Sequence, residues 1–64
     1  MKGTIKKWID AKGFGFIDGE DGESYFLHIS QLPQNSQPKE GDRVKFNGVD
    51  SDRGKQAQRA EIIN

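Results

Sequence analysis

Phe14 and Phe16 stand two residues apart in the run Lys12-Gly13-Phe14-Gly15-Phe16-Ile17, and Phe26 and His28 repeat that spacing in Tyr25-Phe26-Leu27-His28-Ile29. In an extended chain, residues two apart point to the same side. Each run therefore presents two rings on one face, and Gly13 and Gly15 leave the other face of the first run nearly bare. Such rings make and break no bonds; their chemistry is stacking. An aromatic face takes a nucleobase for roughly 1–3 kcal/mol, whatever the base, and glycines between the rings let a backbone come close. Lys6, Lys7 and Lys12 add positive charge for phosphates. The ligand that suits this set is single-stranded RNA or DNA, whose bases can be splayed onto rings, whereas a duplex hides its faces.

The same residues speak against a catalyst or a metal site. The chain has one histidine and no cysteine. His28 has no nucleophile or carboxylate in its own run to work with. Gly13-x-Gly15 is not a dinucleotide fingerprint, because Asp18 stands where the third glycine belongs and no helix pattern follows. Asp50, Asp52 and Glu61 have the first, third and twelfth spacing of a calcium loop. However, Gly54 replaces a ligand, and Lys55 stands where that loop needs glycine. The reading is non-enzymatic binding with no cofactor and no metal.

The 64 residues make one small domain, 1–64. No apolar run reaches membrane-spanning length, and the first residues lack a signal-peptide core. With no cysteine, the expectation is a cytoplasmic monomer with no membrane partner. Charged residues are 31% of the chain but sum to zero, unlike a strongly basic nucleic-acid binder. The neutrality hides segregation: residues 1–17 carry a net +3 and residues 18–24 a net −4. The positive end coincides with the first aromatic run.

Helix signals are weak, since no long apolar stripe has the i, i+3, i+4 period and eight glycines are scattered throughout. Strand and turn signals predict five strands, over residues 2–9, 13–18, 23–29, 42–49 and 55–63, with a long loop at 30–41 opening on a short 3₁₀ turn. Five short strands in so short a chain suit an all-β barrel, because closure removes exposed edges. Alternation offers an interior of Ile5, Ile17, Tyr25, Leu27, Ile29, Leu32, Val44, Phe46 and Ile62 or Ile63. That interior does not need Phe14, Phe16 or Phe26. If the second and third strands pair as a hairpin, the three rings lie side by side on the outside.

Lys12–Ile17, eight further residues, and then Phe26-Leu27-His28-Ile29 resemble the paired ribonucleoprotein-type motifs of the cold-shock domain family. Glu40–Phe46 resembles that family's fourth strand, and Gly3-Thr4-Ile5-Lys6 its first, so the similarity covers nearly the whole chain. The resemblance implies a five-stranded antiparallel OB-fold barrel that binds single-stranded nucleic acid, with a pyrimidine preference, as RNA chaperones and cold-shock regulators of that family do. Carried over residue by residue, it makes Phe14, Phe16, Phe26 and His28 the stacking set and Lys6 and Lys12 basic contacts. Arg53 falls where the family often has a basic contact.

The departures from that family's pattern fall around the rings. Without gaps, the family's stacking tryptophan falls on Lys7, and Trp8 falls on the phenylalanine after it. Simple alternation from Ile5 instead puts Lys6 and Trp8 on the ligand face and turns Lys7 inward, which predicts a bulge there. On that reading Trp8 is a stacking residue. Ile29 stands for a phenylalanine, Tyr25 stands for a core valine and brings a hydroxyl that needs a partner or water, and the loop over 33–39 has no aromatic. A small footprint and micromolar affinity follow. The rival reading is a protein-interaction module that docks a partner on the same rings.

Overall fold

The structure is a computed structural model that describes residues 1–52 and 54–63. Glycine and acidic residues interrupt the alternating stretches, and five strands result: β1 (Lys2–Ile9), β2 (Phe14–Gly19), β3 (Ser24–His28), β4 (Arg43–Ser51) and β5 (Gly54–Ile62). One 3₁₀ turn, Ile29–Gln31, opens the long loop before β4. The strands close into a barrel in the order β1-β2-β3-β5-β4, the five-stranded architecture that the sequence implies. The seams are antiparallel except between β3 and β5, which meet in parallel at Phe26 and Gln56. An odd number of strands makes this unavoidable, because strict up-down alternation around a closed ring needs an even count.

Ile5, Ile17, Tyr25, Leu27, Leu32, Val44, Phe46, Ala57 and Ala60 fill the interior. Alternation finds most of them and errs at two places. Ile29 is not core: it is 38% exposed, because β3 ends at His28. The His28 side chain accepts from the Ser30 N–H at 3.1 Å and turns the chain into the 3₁₀ segment. Ala57 and Ala60 are both buried although they lie three apart, which a period of two forbids. The pairings Asn47 with Gln58 and Lys45 with Glu61 leave an extra residue in β5 opposite Phe46. At that bulge Arg59 takes a φ of 51°, and Gln58 and Arg59 are both exposed between the two alanines.

Tyr25 fits where a smaller residue would be expected because two glycines make room for its ring. A Cβ on Gly48 would lie 2.6 Å from the ring and one on Gly19 2.8 Å from it. The ring meets Phe46 edge-on, with centroids 5.0 Å apart. Its hydroxyl reaches the surface and donates to Asp21 Oδ2 at 2.6 Å, while Asp21 Oδ1 accepts from the Glu23 N–H. The partner that the buried tyrosine needs is thus supplied by the β2–β3 turn.

That bond holds the Asp21 carboxyl below its ordinary 3.8, with the Glu23 N–H helping, and holds the Tyr25 hydroxyl above its ordinary 10.0, with burial helping. The depressed carboxyl contributes stability that is present above 3.8 and lost as the pH falls through its folded-state value. The raised hydroxyl contributes stability that is present below 10.0 and lost as the pH rises through its own. Tyr25→Phe should therefore melt below the parent by a margin that is widest between about pH 5 and pH 9 and narrows on both sides. Thermal melts across pH would test this, and a margin that does not change with pH would disprove the coupling.

Candidate nucleic-acid interface

The rings are assembled by the β2–β3 hairpin. Its register sets Phe14 beside His28 and Phe16 beside Phe26, and puts Gly15, Ile17, Tyr25 and Leu27 on the inner side. Phe26 is central: its ring lies 5.4 Å from Phe14, tilted by 36°, and 5.9 Å from Phe16, nearly edge-on at 72°. Phe16 is 38% exposed, Phe14 and Phe26 are half-buried, and His28 is exposed. Across the β3–β5 seam, Gln56 continues the row of Phe16 and Phe26.

On the other flank β1 carries the expected bulge. Ile5 pairs with Ile17 and Lys7 pairs with Phe16, so Lys6 has no opposite number. Past that extra residue the inside and outside of β1 exchange. Lys6 and Lys7 both face solvent, Lys7 stands beside Phe16, and Ile9 stands beside Phe14. Trp8 pairs with Gly15 on the inner side and packs against the core. This corrects the alternation reading that set Trp8 among the rings: the bulge turns it to the barrel's rim, and Lys7 takes the position beside Phe16. Gly15 is required by the contact, since a Cβ there would lie 2.8 Å from the indole Cε3 and closer still to the Lys7 carbonyl oxygen. The indole N–H donates to Asp10 Oδ1 at 3.1 Å.

His28 is oriented by its neighbour. Its Nδ1 accepts from the Ser30 N–H and lies 2.9 Å from Ser30 Oγ. In the neutral ring that geometry assigns the proton to Nε2, which leaves an outward donor at the edge of the ring platform. Lys12 is exposed on the turn between β1 and β2. Lys6 reaches Asp18 at 3.9 Å with both side chains more than half exposed, a weak pairing that leaves the lysine available. Arg53 lies outside the described residues. Asp18 and Ser24 form the row below Phe16 and Phe26, so the platform ends on a negative edge.

Of the expected set, then, Lys6, Lys7, Phe14, Phe16, Phe26 and His28 share one outer face, Lys12 stands at its end, and Trp8 is at the rim. Ile9 and Gln56 also border the rings, which the sequence pattern alone does not indicate. Carrying a one-residue bulge through β1 would have found Ile9; nothing local marks Gln56, whose place depends on the long-range β3–β5 pairing. Among the described residues there is no group of three or more His, Cys, Asp or Glu side chains able to hold a metal ion. No helix is long and apolar enough to cross a membrane.

Comparison with known proteins gives this geometry a family. The family model described as 'Cold-shock' DNA-binding domain matches residues 1–62. The cold shock-like protein CspC of Bacillus cereus is 47% identical over 60 residues, which cover 89% of this chain and 91% of that one. The major cold shock protein CspA of Pseudomonas aeruginosa is 36% identical over 65 residues, covering 98% and 94%. Among solved structures, drosophila Unr CSD456 matches with a TM-score of 0.75 at 22% identity, over 98% of this chain and 26% of that one, a likeness of fold alone. With the family model matching almost end to end and close relatives matching along most of their own length, this chain belongs to the cold-shock domain family.

Proposed function

We propose that this chain binds short stretches of single-stranded RNA or DNA without catalysing a reaction, and acts as an RNA chaperone or cold-shock-type regulator in the cytoplasm. Bases stack on Phe14, Phe16 and Phe26, the His28 Nε2–H donates to a base edge or phosphate, and Lys6, Lys7 and Lys12 meet the backbone. The observation that carries this reading is three contiguous rings on the outer face of a barrel whose interior is already filled by other residues. Their mutual tilt favours single strands. Bases laid on rings inclined by 72° and 36° cannot remain parallel to one another, as they would in a duplex, so the ligand must be a chain that splays them.

The footprint is small. It spans the two rows above Asp18, and Lys7 stands where a further aromatic surface would lie. Three rings and an imidazole at roughly 1–2 kcal/mol each give on the order of 4–8 kcal/mol gross, before ordering costs. With the lysines' electrostatic contribution set against those costs, the reading is micromolar rather than nanomolar binding by a monomer. A preference for pyrimidine-rich strands belongs to this reading through the family resemblance alone. Few phosphates are met, so affinity falls gently with salt.

Anisotropy titrations with labelled oligo(dT) and oligo(U) test the proposal. Phe16→Ala should weaken binding about tenfold with the circular dichroism spectrum retained. Trp8→Phe should lower the melting temperature yet leave affinity within about twofold, because the indole packs inward. Parent protein that is folded but binds no oligonucleotide would sink the proposal and favour a protein partner for the same rings. Lys7→Trp adds a stacking surface beside Phe16 and removes a phosphate contact. It should tighten binding severalfold at moderate salt and flatten the salt dependence; weaker binding at every salt concentration would count against a ligand path alongside Phe16.

A further inference from the structure

Arg59 carries a backbone conformation that its side chain does nothing to favour. Its φ of 51° lies in the left-handed region, which is costly for a residue with a long side chain and is commonly filled by glycine or asparagine. The position sits at the β5 bulge, where Gln58 and Arg59 both face solvent between buried Ala57 and Ala60. The Arg59 N–H donates to Gln31 Oε1 at 3.3 Å, and Gln31 closes the 3₁₀ turn that His28 caps. The bulge is thereby tied to the end of the strand that bears Phe26 and His28. The parallel pairing of Phe26 with Gln56, carried on by one pleat, brings residue 58 abreast of His28. Neither the Lys6–Asp18 nor the Lys55–Asp50 ion pair involves Arg59.

The arrangement mirrors the opposite flank. The β1 bulge presents Lys6 and Lys7 beside the rings on the β2 side, and the β5 bulge presents Gln58 and Arg59 beyond the rings on the β3 side. A guanidinium carried at that edge, with no carboxylate paired to it among the described residues, suits a phosphate. Resting on the single-strand reading above, we infer that Arg59 contacts a phosphate of the bound strand and extends the interface across the β3–β5 seam, and that the unfavourable backbone at this position is retained for that contact.

The strain and the contact predict opposite effects of one substitution. Arg59→Asn relieves the left-handed residue and removes the cation. The melting temperature should rise by about 4 °C. Affinity for oligo(dT) should fall about three- to tenfold at low salt, and the slope of log affinity against log salt should become shallower by about 0.7, the share of one phosphate on a single strand. Arg59→Lys should keep that slope, and Arg59→Gln should lose it without shortening the side chain to asparagine's. A more stable asparagine variant whose affinity and salt slope match the parent's would overturn the inference. So would loss of slope in the lysine variant together with none in the glutamine variant. If Phe16→Ala weakens binding while every Arg59 variant matches the parent, only this inference fails. If the parent binds no oligonucleotide, both it and the proposed function fail.

Discussion

Lys6, the residue that the β1–β2 pairing skips between Ile5 and Lys7, sets the composition of the outer face. Unbroken alternation from Ile5 would drive Lys7 and Ile9 inward and Trp8 outward. An ammonium in an interior formed by Ile17, Val44 and Phe46 would cost several kcal/mol without a partner. One extra residue removes the conflict: Ile5 stays inside, Lys7 goes out beside Phe16, and Trp8 swings in against Gly15. The same bulge adds the local twist that a small barrel needs in order to close. Gly15 and Trp8 are consequently a matched pair, since the indole occupies the space that any other side chain at position 15 would need.

Closure of the barrel frees the rings. The β1–β4 seam is continued past the strand pairing by Ile5, whose N–H donates to the Asp42 carbonyl and whose carbonyl accepts from the Gly41 N–H. Asp42 is buried and accepts from the Lys39 N–H, which fixes the turn that delivers β4. With β4 and β5 wrapped around this way, Val44, Phe46, Ala57 and Ala60 complete the interior from the far side. Phe14, Phe16 and Phe26 are then not required for packing. They shield one another instead: the edge-on approach of Phe16 to Phe26 covers part of each ring and leaves faces open, which lowers the cost of exposing so much aromatic surface in so small a domain.

What could be read from the sequence follows the range of the interactions involved. The ring pairs were legible because their spacing of two and one short turn are local facts, and the observed register, Phe14 with His28 and Phe16 with Phe26, needs nothing else. Simple alternation misplaces Trp8 because a bulge shifts every later residue of its strand to the other face, which exchanges Trp8 and Ile9 here. Ile29 reads as core from its apolar character, but the His28–Ser30 cap ends the strand before it. Alternation does not find Ala57 and Ala60, because their spacing of three makes sense only beside Arg59 in its left-handed conformation, where the β4 pairing and Gln31, both remote in sequence, meet it.

A chain of zero net charge exerts little long-range pull on a polyanion, so local charge must do the work. The hairpin separates its own charges. Lys12 lies at one end of β2, and Glu20, Asp21 and Glu23 lie at the other. The six residues of β2 span roughly 17–20 Å, about twice the Debye length of ~8 Å in physiological salt. The acidic turn therefore cancels little of the field at the far end, and a phosphate near Lys12 experiences that lysine more than the chain's neutral total. Closer in, Asp18 makes the row beneath Phe16 and Phe26 unfavourable for a polyanion. The rings provide affinity, and the sign of the charge at each end of the hairpin determines which of their edges a nucleic-acid backbone can pass.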